Sequence, residues 1–184
     1  MSSKNDRFYF NDKGEMIDPP VDVQQEGCDN FIGLCATAVV PDGYTFLFNP
    51  FRDFRACTDV SELNCVLSRE ETEATIPNLC GGELTCPVTI DAVRLVGCVR
   101  VLANLGDLRP KQSGPSTPFP CQLCFAETAC VNQVIGYTCA EDACAEDCFV
   151  IPFGELFVPT VTTDGCGRQI VSTVIRLFVQ FAGC

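Results

Sequence analysis

Residues 169–182 read QIVSTVIRLFVQFA. Val171, Thr173, Ile175, Leu177, Val179 and Phe181 fall on one side of a period-two pattern, and Ser172, Arg176 and Gln180 fall on the other. Successive side chains of an extended chain leave on opposite faces, so this segment predicts a half-buried β-strand. The same texture recurs upstream. Residues 84–102, LTCPVTIDAVRLVGCVRVL, form the strongest β block of the first half, with Pro87 and Gly97 marking an edge or a bend. Residues 31–40, FIGLCATAVV, run through the turn Pro41-Asp42-Gly43 into YTFLF at 44–48, which reads as a hairpin. Residues 149–162 add a further block, whereas 49–73 look less regular, with a faint helical hint at 59–63.

No long helical pattern interrupts this series. Short strands punctuated by Gly and Pro predict an all-β chain, a β-sandwich or jelly-roll-like fold. Val93-Arg94-Leu95-Val96 is echoed by Ile175-Arg176-Leu177-Phe178, through either duplication of a sheet element or convergence of two strands.

Outside the blocks, composition draws the boundaries. Residues 1–27 are polar and acidic and carry Pro19-Pro20, which resists both helix and central strand. They are expected to form an extended N-terminal arm before a β-sandwich domain at 28–184. Phe8 and Phe10, two apart, suit strand donation to another sheet edge. Within the domain, the Pro- and Gly-rich stretch 104–120 reads as a loop, and 121–148 as an irregular cysteine-rich insertion.

The chain has 184 residues and 47% hydrophobic content, enough for a real core, built without Trp and with 14 Phe. Its net charge of −12 repels phosphate backbones and anionic membrane surfaces, so nucleic-acid binding and membrane association are poor readings. No segment approaches the roughly 20 uninterrupted apolar residues of a membrane span, so no membrane insertion is expected. Acidic groups such as Glu70-Glu71 and Glu141-Asp142 lack an EF-hand pattern and read as solvated charge. Histidine is absent, which removes the commonest general base and metal ligand and any Ser-His or Cys-His relay. The chain is therefore read as not an enzyme, and no cofactor is expected.

The 15 cysteines, about 8% of the chain, reach the level of a disulfide scaffold. Three uses compete. Intrachain bridges would staple loops to the sheets. Cross-links between chains would use flexible positions such as Cys184, the last residue, and Cys28, where the arm meets the domain, with Cys35 a further candidate. The odd count leaves at least one thiol over if all the others pair internally. Finally, Cys121-Gln-Leu-Cys124 with Cys130, Cys139, Cys144 and Cys148 supplies either intrachain disulfides or thiolates for a structural metal, although a second CxxC is missing. The first ten residues, MSSKNDRFYF, lack the apolar core of a secretory signal, so the cysteine load is expected without a visible export signal.

Scattered cysteines, β-rich apolar blocks, no visible signal peptide and a polar arm before Cys28 together resemble the cysteine-rich proteins of bacterial endospore surfaces: coat, exosporium and appendage subunits. The likeness is one of composition and layout over the whole chain. It implies a spore-surface or extracellular subunit that self-assembles into a sheet or fibre, with itself and other surface-layer proteins as partners. It also implies an arm that clasps the next subunit. This sequence departs from some such proteins in lacking histidine and paired cysteines near Met1. A disulfide-rich monomeric binding module and a Cys-ligated metal protein are the alternatives.

Overall fold

The computed structural model describes residues 7–19, 31–49, 54–77, 81–111, 121–138 and 148–182. Within them every regular element is a strand, and all pairings are antiparallel. In chain order these are β1 (Arg7–Asn11), β2 (Met16–Ile17), β3 (Phe31–Val39), β4 (Tyr44–Leu47), β5 (Ala56–Asp59), β6 (Asn64–Pro77), β7 (Glu83–Pro110), β8 (Cys121–Thr138), β9 (Phe149–Phe157), β10 (Thr160–Thr163) and β11 (Gln169–Phe181).

Each of the two sheets is organised about one long strand. In the six-stranded sheet β11 is central: β3 pairs along one edge, and β9 then β10 pair along the other. β1 extends that sheet beyond β9, and β2 closes it. In the five-stranded sheet the 28-residue β7 pairs with β8 on one edge, and with β6, β5 and β4 in succession on the other. The inward residues of both sheets, among them Val171, Ile175, Leu177 and Val179 of β11 and Val93, Leu95, Val99 and Val101 of β7, join one apolar cluster. At ~25 cal/mol per Å2 of apolar surface removed from water, burial in that shared cluster joins the two sheets.

The echoed tetrapeptides stand at matching places. Val93 and Leu95, like Ile175 and Leu177, are fully buried in the central strand of their sheet. Between them Arg94 and Arg176 point outward and meet Glu70 and Glu155.

Several expectations need correction. The residues of the expected arm that are described, 7–19, are part of the chain's own six-stranded sheet. Phe10 is 2% exposed in the core, and Phe8 packs against that core and edge-on to Phe48. Both sit in β1, which pairs with β9 of the same chain, so here they complete a sheet of their own chain. Burial of two phenylalanines on alternate positions outweighs the acids and prolines that dominated the composition. Residues 104–110, expected as loop, are the end of β7, and its last residue, Pro110, pairs with Tyr44 at the outer edge. Residues 121–138, expected as an irregular insertion, form one continuous 18-residue strand. Residues 54–73 are likewise regular, as β5 and most of β6, and 59–63 hold a turn where a helix was hinted.

Two glycines fix how the pieces meet. Gly14, at φ +72°, turns β1 into β2, and a side chain there would strike the backbone of Ala56. Its carbonyl instead accepts a hydrogen bond from the Ala56 amide at 3.3 Å, tying the first hairpin of one sheet to β5 of the other. Gly97, at φ +133°, lies on the inward side of β7 where the Glu62 carbonyl occupies the place of a side chain. The connection from β5 to β6 passes there and carries Leu63 into the core.

Candidate functional site: thiols and disulfides on the sheet faces

The strand pleat decides which way each cysteine points. In β3, Ile32, Leu34 and Ala36 are buried and Cys35, between them, is exposed. In β5, Ala56 is buried and Cys57 is exposed. In β8, Leu123 and Phe125 are buried and Cys124 stands between them on the outside, as does Cys130 farther along. The chain thus places small sulfur side chains on solvent-facing positions of rigid strands, where a charged residue is the usual occupant. Cys121, at the start of β8, and Cys166, in the β10–β11 turn, are exposed free thiols as well, and Cys86 is half-buried.

Exposed apolar side chains accompany them. Cys35 faces Val174 across the β3–β11 ladder, and Val39 and Val161 add to the same sheet. Cys57 faces Leu102, which is 55% exposed. Cys57, Leu102 and Cys124 are among the residues that line a shallow depression here.

Two disulfides are formed among the described residues. Cys65 of β6 joins Cys148, immediately before β9, and so links the two sheets, with Cα atoms 6.5 Å apart. Cys148 is fully buried. Cys98 joins Cys130 directly across the β7–β8 ladder on the outer face.

This accounts for each expected site residue that is described. Cys35 lies on an outer face, Cys130 and Cys148 are bridged to Cys98 and Cys65, and Cys28, Cys139, Cys144 and Cys184 lie outside the described residues. Cys121 and Cys124 are not brought together: three residues apart on an extended strand, they lie about 10 Å apart along it and leave on opposite sides. Among the described residues no group of three or more Cys, Asp or Glu side chains is gathered as metal ligands. Cys57, Cys65, Cys86, Cys98 and Cys166 were not singled out in the sequence. The signal was there in part, since Cys57 follows an apolar inward residue and Cys98 precedes Val99, which puts both on the outward parity.

Two further features carry polar chemistry. On the outer face of the six-stranded sheet the guanidiniums of Arg7 and Arg176 stack on the Phe157 ring, 5.2 and 4.9 Å from its centre. Both reach toward Glu155, at 3.9 and 4.0 Å, a carboxylate that is 6% exposed. Burial lifts the phenol of nearby Tyr9 above its ordinary range, and the Glu155 charge raises it further. Opposite charges and a shared ring make this cluster a clamp across β1, β9 and β11. The second feature is a cleft of about 720 Å3 between the sheets, with Phe10, Leu63 and Leu177 in its wall and Asn11, Asp12 and Ser61 among its polar groups.

No protein-family model matches this chain, and neither does any curated protein or solved structure compared with it.

Proposed function

We propose that this chain is a structural subunit that self-assembles into a fibre or sheet and is locked by disulfides between copies. In this reading the two sheets are the layers of a β-sandwich of jelly-roll type, and the setting is a spore surface or another extracellular layer. Internal disulfides, and the absence among the described residues of any helix long and apolar enough to cross a membrane, are compatible with that setting.

One observation carries the reading: Cys35, Cys57, Cys121, Cys124 and Cys166 are exposed and free, and three of them project from the outer faces of both sheets beside exposed Val174 and Leu102. A thiol held on a rigid strand needs only a partner thiol at a matching place on a neighbour. Among the described residues the outer edges of β4, β5 and β6 have no strand partner, and they offer a second means of contact, through backbone pairing with a neighbouring chain. Head-to-tail contacts of this kind give open arrays when the rotation does not close.

Gel electrophoresis of native material, boiled in detergent with and without reductant, tests this. The expected result is a ladder that collapses to a 20.0 kDa band on reduction. A monomer band in both lanes would remove covalent assembly. It would favour the alternative of a monomeric binding module, for which the inter-sheet cleft is the natural ligand site.

A further inference from the structure

We propose that the far end of the β6–β7 ribbon of one copy docks by its acidic face on the Arg7–Phe157–Arg176 clamp of a second copy. This rests on the assembly reading and names the contact that sets copies in register before any thiol bonds.

The ribbon supplies the first half of the argument. β6 and β7 stay paired from Glu70–Ile90 to Pro77–Glu83, whereas the last described β8 pairing is Asp91–Thr138. Among the described residues this stretch is therefore two strands wide, and such a ribbon is marginally stable in water without a further surface. At ~3.3 Å per residue it extends about 25 Å past that pairing. Its faces differ: Ala74, Cys86, Val88 and Ile90 are half-buried, whereas Glu71, Glu73 and Thr75, with Thr85, Pro87 and Thr89 opposite them, are exposed. From Glu70 to Asp91 the sequence holds five acids and no Lys or Arg. Glu70 pairs with Arg94 and Asp91 with Arg69, while Glu71 and Glu73 have no ion-pair partner among the described residues.

The clamp is the complement. Arg69, Arg94, Arg100 and Arg168 each have a carboxylate of their own, but Arg7 and Arg176 share one. Stacking on Phe157 leaves them 3.9 and 4.0 Å from Glu155, outside hydrogen-bonding distance, and Glu155 Oε2 is buried without a donor. Their N–H groups are thus not spent on Glu155, and their side chains are 53% and 45% exposed. With 5.2 and 4.9 Å to one ring centre, the guanidinium carbons lie within roughly 10 Å of each other. Alternate residues of a strand stand ~6.6 Å apart, which lets Glu71 and Glu73 each meet one guanidinium. Within one chain, clamp and ribbon belong to different sheets, and no ion pair joins them among the described residues, which leaves both for another copy. Because they are different surfaces, the contact runs head to tail and repeats into an open array unless the rotation closes.

Reduced full-length protein is followed by sedimentation velocity at rising concentration, in about 0.15 M salt, where repulsion beyond ~8 Å is screened and contact pairs are spared. Two variants reverse the charge on one side each: Arg7→Glu with Arg176→Glu, and Glu71→Lys with Glu73→Lys. Each alone is expected to associate only at about tenfold higher concentration than the unaltered chain, or beyond. An equimolar mixture of the two should regain the original association, because every contact in an alternating array then joins opposite charges. Unchanged association of the ribbon variant, or a mixture no better than its parts, would overturn the proposal. Should circular dichroism show the clamp variant unfolded, the ribbon variant, altered only at exposed positions, decides alone by losing association or keeping it. Failure of the assembly reading looks different. An unaltered chain that gives neither a disulfide ladder nor association overturns both, whereas a ladder with variants that associate unchanged overturns this contact alone.

Discussion

Gly97 combines two demands that no other residue meets: a backbone in the left-handed half of conformational space and an inward space already taken by the Glu62 carbonyl. Gly97→Ala is expected to lower stability by about 1–3 kcal/mol from backbone strain alone. Displacement of the β5–β6 connection adds to this, and urea denaturation followed by circular dichroism reads the sum. Phe10→Ala tests a different cost, the loss of a 2%-exposed ring that fills the space over Gly154 and packs against Phe54 at 5.5 Å. The expected loss is about 3–5 kcal/mol. If it is below ~1 kcal/mol, the first hairpin is not integral to the core.

Asp164 makes a pH-dependent contribution whose sign is set by its partners. Its carboxylate accepts hydrogen bonds from the amides of Arg168 and Cys166 and pairs with the Arg168 guanidinium at 2.8 Å, across the β10–β11 turn. The Arg168 amide is the leading cause holding its pKa below the ordinary 3.8. A depressed carboxylate pKa means the turn is favoured above the ordinary value and loses that support as pH falls through the folded value. Amide hydrogen exchange at Cys166 and Arg168 is therefore expected to quicken, relative to the β11 centre, only at strongly acidic pH. Asp164→Asn should show the faster exchange already at neutral pH.

At the scale of elements, the strands that could be read from the sequence are those with contrast between their faces. β11 and β3 alternate large apolar residues with polar or small ones, and their places in the sheet agree with that pattern. β8 lacks the contrast: its outward positions carry Cys124, Ala126, Thr128 and Cys130, so alternation with Leu123 and Phe125 is weak in hydropathy although clear in burial. β6 fails for another reason. Beyond Arg69 its described partner is β7 only, past the last described β8 pairing, and its Glu70, Glu71 and Glu73 are carried by cross-strand pairing, which a local pattern does not contain. Disulfide partners were unreadable on the same ground, because they follow from registers between strands 32 and 83 residues apart. The inter-sheet bridge spans the longer of these loops. Replacing both members, Cys65→Ser with Cys148→Ser, is expected to cost about 4 kcal/mol by the chain-entropy model, read as a lower urea midpoint. An unchanged midpoint would mean that the sheets hold together by packing alone.

For the whole molecule, the net charge of −12 and the apolar, thiol-bearing sheet faces act against each other when copies approach. The repulsion is long-ranged, with a screening length of about 30 Å at 0.01 M salt and about 8 Å at 0.15 M. Burial of Leu102 or Val174 against a neighbour acts only at contact, and disulfide formation requires that contact first. Encounter should therefore be the salt-sensitive step. Under the assembly reading, light scattering of reduced protein transferred to oxidising buffer is expected to rise faster as salt increases. It should also rise faster as pH falls toward the calculated isoelectric point near 4.2, until thiolate becomes too scarce for bonds to form. Non-covalent association should continue to strengthen below that pH limit while covalent ladders fade, which separates the two stages in one titration. A rate indifferent to salt across this range would show that charge does not govern encounter, and that orientation of the thiols, set by the strands that carry them, is the controlling step.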